Sequence, residues 1–138
     1  MHLDYSIHPF SGKERRLNLI VYLNDTWDPS WGGALELWDS EFTECKQKVF
    51  PIRNRAVLFR TSDISYHGIP YPIECPETTG RRSLAMYYVS PPRTGVTLRQ
   101  KAEYRPLPTQ TLTPYHAELY EIRKHRLIEE SDLWANWE

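Results

Sequence analysis

Short runs of β-branched and aromatic residues, each ended by Gly, Pro, Asn or Asp, fill the chain from its N-terminus to about Pro91. The clearest strand covers residues 16–24, and further strands are predicted at 34–38, 46–51, 56–60, 66–69 and 83–89. No helical periodicity separates these runs. Six or seven short strands in this arrangement predict an all-β core built as a jelly roll or sandwich.

The character of the chain changes after Pro92, where Thr, Pro and Arg become frequent. Thr113 and Pro114 are a typical helix start, with Thr113 as the N-cap and Pro114 as the first helical residue. The sequence therefore predicts a core domain over residues 1–92 and a C-terminal extension over 93–138, with a helix at about 114–128.

Charge and hydropathy exclude several classes of partner. The 138 residues carry 17 Lys and Arg against 18 Asp and Glu, a formal net charge of -1, so the broad positive field of a nucleic-acid-binding protein is absent. The longest apolar run, residues 19–23, is far too short to span a membrane, and the N-terminus has no signal pattern. We therefore expect a cytoplasmic protein with neither nucleic acid nor membrane as partner.

Two histidines and one carboxylate form a candidate metal triad: His2, Asp4 and His67. In a strand, residues i and i+2 project to the same face, so His2 and Asp4 can hold one ion from one wall while His67 reaches it from another. Two imidazoles and a carboxylate on one face of an octahedron leave the opposite face open for a cosubstrate and dioxygen, which is typical of non-haem Fe(II) sites. Each histidine taken alone can equally be an ordinary surface or core residue.

An arginine pair follows His67 at the start of a predicted strand. Arginine at a strand mouth can bind a carboxylate through two hydrogen bonds. By alternation, Arg81 shares its face with the small residues Ser83 and Ala85, which leave room for a bound molecule. We therefore favour Arg81 over Arg82 as a carboxylate anchor, with Ser83 beside it. The alternative is that both arginines simply end a strand in water.

Several motifs in order resemble the catalytic half of 2-oxoglutarate- and Fe(II)-dependent oxygenases of the prolyl 4-hydroxylase type. The resemblance covers roughly the first two-thirds of the chain. The motifs are His2-x-Asp4, the strand 16–24, Trp27, Gly32-Gly33 with the strand that follows, Tyr66-His67-Gly68, and Arg81-x-Ser83 with the strand to Tyr88.

This resemblance implies a double-stranded β-helix (a cupin-like jelly roll) with iron held by His2, Asp4 and His67. It implies that Arg81 binds the distal carboxylate of 2-oxoglutarate and that the Tyr22 hydroxyl adds a hydrogen bond. The implied reaction consumes dioxygen and 2-oxoglutarate, releases succinate and CO2, and hydroxylates a C–H bond. Ascorbate is an additional candidate cofactor. The substrate expected from the family is a peptidyl proline, followed by a free amino acid or small metabolite.

The family usually carries helices and strands before the His-x-Asp motif, which here begins at residue 2. We therefore expect an incomplete sheet with an open edge, available to a partner protein or to a second copy of the chain.

Two other functions stay open at this point. One is a cupin-type metalloenzyme that does not use 2-oxoglutarate. The other is a non-catalytic β-sandwich module that binds a ligand through Trp27, Trp31 and Trp38, although packing is the more common role of such residues.

Four further residues complete the candidate list. Tyr5, His8 and Arg15 are expected in the connection after the metal-binding pair, where they either line the substrate entrance or are simply solvated, and Asp63 is expected either to orient His67 or to cap a turn.

Overall fold

The computed structural model describes residues 1–125 of the chain. Within that range the core is all-β, as predicted, and a single long helix follows it. The strands are β1 (His2–Leu3), β2 (Glu14–Tyr22), β3 (Leu35–Trp38), β4 (Cys45–Val49), β5 (Ala56–Arg60), β6 (His67–Gly68), β7 (Ser83–Ser90) and β8 (Glu103–Tyr104), with a short 3-10 turn at Pro29–Trp31 and the helix α1 at Pro114–His125.

The strands form two antiparallel sheets. One has five strands in the order β4-β3-β6-β1-β8, and the other has three in the order β5-β2-β7. β2 is the central strand of the smaller sheet and pairs with β7 over nearly its whole length. A register shift between Arg15 and Leu17 interrupts this pairing, so one residue of β2 bulges out.

Two apolar clusters hold these sheets. Tyr22, Leu35 and Val57 are buried together, and they come from both sheets, so this cluster lies where the sheets pack on each other. Alternate residues of β1 project to the other side of the five-stranded sheet, where Leu3 packs with Met1, Phe42 and Tyr66. The sheet pairing thus leaves His2 on one face and Leu3 on the other.

The segment after β7 folds back over the body. The Arg93 guanidinium donates to the buried Glu14 carboxylate at 2.6 Å, and this hydrogen bond holds the pKa of Glu14 below its usual range. β8 then adds to the edge of β1, and Leu107 joins the Leu3 cluster. This strand was missed in the sequence.

The helix α1 begins at Pro114, and the Thr113 hydroxyl accepts a hydrogen bond from the His116 N–H at 3.2 Å. The predicted end of the helix near residue 128 lies outside the described residues. In the described part of the chain no helix has the length and apolar character needed to cross a bilayer.

Candidate active site

β1 and β6 bring the two histidines of the triad face to face. His2 is the direct cross-strand partner of His67, and their ring centroids lie 4.3 Å apart. Close approach of the two strands depends on Gly68, since a Cβ there would lie 3.3 Å from the Met1 Cα, and its φ of +154° is one that residues with a Cβ rarely adopt. A cross-strand pair on a short ladder therefore sets the geometry of two of the three donors.

His67 is a buried, neutral imidazole with one nitrogen free to bind an ion. Its Nδ1 lies 2.8 Å from the Ser65 carbonyl oxygen, which can only accept, so Nδ1 carries the proton and Nε2 carries the lone pair. Burial, together with the charge of His2, lowers the pKa of His67 to about 4. The imidazole is therefore uncharged at neutral pH, and its Nε2 is unprotonated, as the ligand atom of a metal must be.

Asp4 lies between the two histidines, in the chain just after β1. Its Oδ1 is 3.6 Å from the His2 Nε2, and its Oδ2 is 3.6 Å from the His67 Nε2. Burial by itself raises the pKa of Asp4, but the hydrogen bond with His2 and the charges of His67 and Arg15 outweigh burial. The pKa of Asp4 thus lies below its ordinary value, and the carboxylate is ionised at neutral pH.

Arg15 makes the shortest contact with Asp4. Its Nη1 lies 2.7 Å from the Asp4 Oδ1, and its guanidinium sits between the rings of Tyr5 and Tyr87, 4.1 and 3.5 Å from their centroids. The arginine is only 4% exposed, and its Nε has no hydrogen-bond partner among the described residues. The expectation of a solvated loop residue is therefore wrong for Arg15.

The sequence places Arg15 just before the predicted strand 16–24, but β2 begins at Glu14 and contains a bulge that turns Arg15 inward. Strict alternation from the buried Tyr22 would turn Arg16 inward, but the extra residue shifts the register by one. Arg15 then pairs with Val89 and takes the inward position.

A second polar contact lies at the far end of β2. The Arg81 Nη2 donates to the Tyr22 hydroxyl at 3.4 Å, and its Nε donates to the Gly33 carbonyl at 3.0 Å. Tyr22 is fully buried, and burial raises its pKa. The exposed Arg82 instead bonds through its backbone N–H to the Asn24 side chain. Of the two arginines, Arg81 is the one whose side chain reaches the predicted tyrosine.

One face of β2 connects the triad with the Arg81–Tyr22 contact. Asn18 donates to the Asp4 Oδ2 at 3.3 Å, whereas Tyr22, four residues later on the same face, contacts Arg81. At about 3.3 Å per residue the two positions are about 13 Å apart. The Phe59 ring packs against the Tyr22 cluster and lies 4.7 Å from the His67 ring. It therefore lies between the triad and the Tyr22 cluster.

The cross-strand neighbours of this face on β7 include the small residues Ser83, opposite Tyr22, and Ala85, opposite Ile20. Both are exposed. Among the described residues Ser83 makes no side-chain hydrogen bond that assigns it a role, and its place among the cofactor-binding residues stays a prediction.

The other candidates take structural roles. Asp63 accepts hydrogen bonds from Thr97 and Arg99 at 2.6 and 2.7 Å, and the orienting contact to His67 comes from the Ser65 carbonyl instead. His8 bonds to Ser11 in a turn.

Trp27, Trp31 and Trp38 pack against neighbouring residues, which is the more common of the two roles considered for them. The rings of Trp27 and Trp31 meet edge to face at 5.4 Å, and the Trp27 indole N–H donates to the Gly32 carbonyl. Trp38 packs on Phe42 on the other side of the five-stranded sheet.

The chemistry of the donor set fits a ferrous ion. One ligand atom from each of His2, Asp4 and His67 can be chosen so that all lie within 4.8 Å of one another. Ligand atoms bound at about 2.1 Å and at right angles lie about 3 Å apart, so the 3.6 Å separations must close by about 0.6 Å and the widest separation, up to 4.8 Å, by as much as about 1.8 Å. Two imidazole nitrogens and one carboxylate oxygen on one side of an ion are the ligand set of a non-haem iron(II) site.

Comparison with known proteins agrees with this geometry. The chain is 35% identical over 81 residues to the prolyl 3-hydroxylase OGFOD1 of Mus musculus, and the alignment covers 56% of this chain and 14% of that protein. The chain thus spans a small part of the length of this relative. No solved structure matches the chain significantly.

A family model described as the 2OG-Fe(II) oxygenase superfamily matches residues 1–89, a range that contains His2, Asp4, Tyr22, His67 and Arg81. That range is more than half of the 138-residue chain. The chain therefore belongs to the 2OG-Fe(II) oxygenase superfamily.

Proposed function

We propose that this protein is a dioxygenase that hydroxylates a C–H bond, with His2, Asp4 and His67 as the ligands of its Fe(II). The observation that carries the proposal is the convergence of these three donors within 4.8 Å in a chain of this family. When bound, the iron supplies the chemistry by which 2-oxoglutarate, dioxygen and R–H become succinate, CO2 and R–OH.

Contacts with neighbouring residues fix the orientation of the triad's ligand atoms. The Ser65 carbonyl fixes the ring of His67 with its Nε2 lone pair directed toward Asp4. Arg15 holds one oxygen of Asp4, which leaves the other oxygen to face His67. Such contacts behind metal ligands typically change metal affinity or activity by 10- to 100-fold when they are removed.

We assign the distal carboxylate of 2-oxoglutarate to Arg81, with Tyr22 and Ser83 beside it. A guanidinium binds a carboxylate through two parallel hydrogen bonds, and Arg81 already lies within reach of the Tyr22 hydroxyl. The inward face of β2 runs from this contact to the Asn18–Asp4 contact, so a molecule held at Arg81 extends toward the triad. Arg81 thereby sets the orientation of the cosubstrate, and the buried ring of Tyr22 helps to exclude water.

The two sheets are proposed to be the halves of a double-stranded β-helix. Support comes from the path of the chain through the two antiparallel sheets, whose strand orders are β4-β3-β6-β1 and β5-β2-β7. Along the chain, each strand lies in the other sheet from the strand before it, except that β3 and β4 lie in the same sheet. We further propose that residues 1–92 are the catalytic core and 93–138 an extension of it.

The substrate is proposed to be a prolyl residue of a peptide or protein. A cavity of about 330 Å³ lies against His2 and Asp4, and its wall includes Tyr5, Arg15, Tyr87 and Tyr104. Aromatic walls suit a pyrrolidine ring, and the name of the mouse relative states a prolyl substrate for that protein. Ascorbate is proposed as the reductant that restores Fe(II) after turnover without substrate.

The direct test is succinate formation with Fe(II), 2-oxoglutarate and dioxygen. Asp4→Ala and His67→Ala should abolish it, whereas Arg81→Met should mainly raise the 2-oxoglutarate concentration needed. Arg82→Met is the matched control, because its exposed side chain lies next to Arg81 in the chain.

Undiminished turnover by His67→Ala would remove the triad from the mechanism. A rise in the 2-oxoglutarate requirement with Arg82→Met but not with Arg81→Met would reverse the assignment of the anchor. Metal binding without any 2-oxoglutarate dependence would favour the cupin-type enzyme.

A further inference from the structure

The cavity beside His2 and Asp4 is bounded on one side by the extension that follows β7. The residues that match the family model end at residue 89, and this wall lies beyond them. It is built from β8, the segment just before β8, and α1, and its residues are Gln100, Lys101, Ala102, Tyr104 and Arg123. The match to the family therefore does not account for this part of the cavity.

Tyr104 places this wall close to the proposed metal ligands. It is the cross-strand partner of His2, and their ring centroids lie 5.3 Å apart. The guanidinium carbon of Arg123 lies 5.6 Å from the centroid of the Tyr104 ring, so it is at most 10.9 Å (5.3 plus 5.6) from the centre of the His2 ring. Two residues of extended chain span about 7 Å. A side chain one or two residues away from the reacting carbon of a peptide can therefore reach Arg123.

The wall of this cavity carries more positive than negative charge. Its cations are Arg15, Lys101 and Arg123, and among its described residues Asp4 supplies the sole carboxylate. Asp4 already contacts Arg15 at 2.7 Å, and it is one of the proposed iron ligands. Lys101 and Arg123 therefore have no carboxylate partner within the wall. A bound divalent ion adds further positive charge, so the field in the cavity favours an anionic group.

Both cations of the extension keep donors for such a group. The Lys101 ammonium has three N–H donors, and it donates to the His125 carbonyl, which is a neutral acceptor. The guanidinium of Arg123 has five N–H donors, and its Nη1 is buried without a hydrogen-bond partner among residues 1–125. The same holds for the Nε of Arg15, whose residue is 4% exposed. Because a buried donor without an acceptor is unfavourable, an acceptor on a bound molecule stabilises this wall.

We propose that the substrate carries a carboxylate close to the carbon that is hydroxylated, and that Lys101 and Arg123 bind this carboxylate. The proposal rests on the proposed function, because it names the class of substrate for the same site. That class is a proline with an acidic residue one or two positions away, or a proline whose own carboxylate is free. Hydrogen bonds between charged groups are roughly twice as strong as neutral ones, so this contact selects among prolyl substrates.

Peptide binding to the protein loaded with Mn(II) and 2-oxoglutarate, without dioxygen, tests the proposal separately from catalysis. Three fluorescent five-residue peptides with capped ends carry a central proline flanked on both sides by glutamate, alanine or lysine. If an acidic neighbour is recognised, the glutamate peptide should bind at least about tenfold more tightly than the alanine peptide, and the lysine peptide most weakly. A fourth peptide consists of alanines and ends in a proline with a free carboxylate. If the carboxylate of the proline itself is recognised, the same advantage should belong to this peptide.

Charge removal identifies the side chains responsible. In the double variant Lys101→Gln/Arg123→Gln the preferred acidic peptide should bind at least about tenfold more weakly. Binding of the capped alanine peptide should change by less than about twofold, which also shows that the cavity is intact. Glutamine at position 101 can still donate to the His125 carbonyl. The double variant Lys101→Glu/Arg123→Glu should reverse the preference in favour of the lysine peptide.

Arg105→Gln is the matched control. Arg105 is an exposed cation of the same extension, but it pairs with Glu103 at 2.8 Å and does not line this cavity. Its substitution should leave the binding of all four peptides within about twofold of the original.

Equal binding of the acidic and neutral peptides would overturn the proposal, and so would binding of none of them. A preference that persists in both double variants, or that Arg105→Gln removes to the same extent, would also overturn it. Succinate formation with Fe(II) is measured in parallel to keep the two proposals apart. Turnover without an acidic preference refutes this inference alone, whereas an acidic preference without turnover refutes the proposed oxygenase activity alone.

Discussion

Lowering the pH from 7 to 4 should destabilise the metal-free protein mainly through His67. Its side chain is buried, and its pKa in the folded state is about 4, against 6.5 for an ordinary histidine. Between these two pH values His67 is protonated in the unfolded chain but not in the folded chain. The contribution of His67 to the free energy of unfolding is therefore fully present above pH 6.5 and falls as the pH drops toward 4. The difference of 2.5 pH units (6.5 minus 4) corresponds to about 3 kcal/mol, at about 1.36 kcal/mol per unit.

Urea unfolding with a chelator present, repeated between pH 7 and pH 4, measures this loss. His67→Asn is the control, because the asparagine amide can still donate to the Ser65 carbonyl but cannot titrate. Subtracting its free energy of unfolding from that of the unchanged chain cancels the pH-dependent contributions of most other titratable groups. Asp4, with a pKa below 3.8, loses its contribution at lower pH still. A difference that stays constant from pH 7 to pH 4 would refute a buried, neutral His67.

Three further substitutions have expected outcomes. Arg15→Met leaves the partly buried Asp4 carboxylate without its 2.7 Å partner and should cost about 3 kcal/mol in urea unfolding of the metal-free protein, and more when Mn(II) is added, because the variant should bind the ion about 10- to 100-fold more weakly; a smaller cost with Mn(II) than without it would contradict this. Gly68→Ala should cost about 1–3 kcal/mol and weaken Mn(II) binding, because its new Cβ meets the backbone just before β1; unaltered Mn(II) affinity would show that this approach is unimportant. Tyr22→Phe removes the hydroxyl that accepts from Arg81 and should raise the dissociation constant of 2-oxoglutarate about five- to tenfold in a calorimetric titration, with metal affinity unchanged; loss of metal affinity would argue against separate roles.

The triad and the Arg81–Tyr22 contact were accessible from the sequence because they depend on alternation and on motif order. His2 and His67 meet because their strands pair in direct register, which is favoured by the burial of Leu3 on the opposite face of β1. Arg81 lies just before β7, and Tyr22 is the last residue of β2. Arg81 reaches Tyr22 because these two strands are neighbours in the three-stranded sheet.

Other features could not be predicted because they depend on irregular pairing or long-range contacts. A single bulge exchanges Arg15 for Arg16 at the inward position, and nothing in the local sequence marks it. β8 has only two residues and exists because the chain returns to β1 from a distance of about a hundred residues. In the contact between His67 and Ser65 the acceptor is a backbone carbonyl, so no side-chain motif in the sequence predicts it.

The most direct measurement of the central claim is an anaerobic optical titration of the protein with Fe(II) and 2-oxoglutarate. If His2, Asp4 and His67 hold the iron and Arg81 orients the cosubstrate, a weak visible charge-transfer band should appear only when both are present. It should be absent in Asp4→Ala and should need more 2-oxoglutarate in Arg81→Met. A band of full intensity in Asp4→Ala, or none in the unchanged, folded chain, would contradict the account.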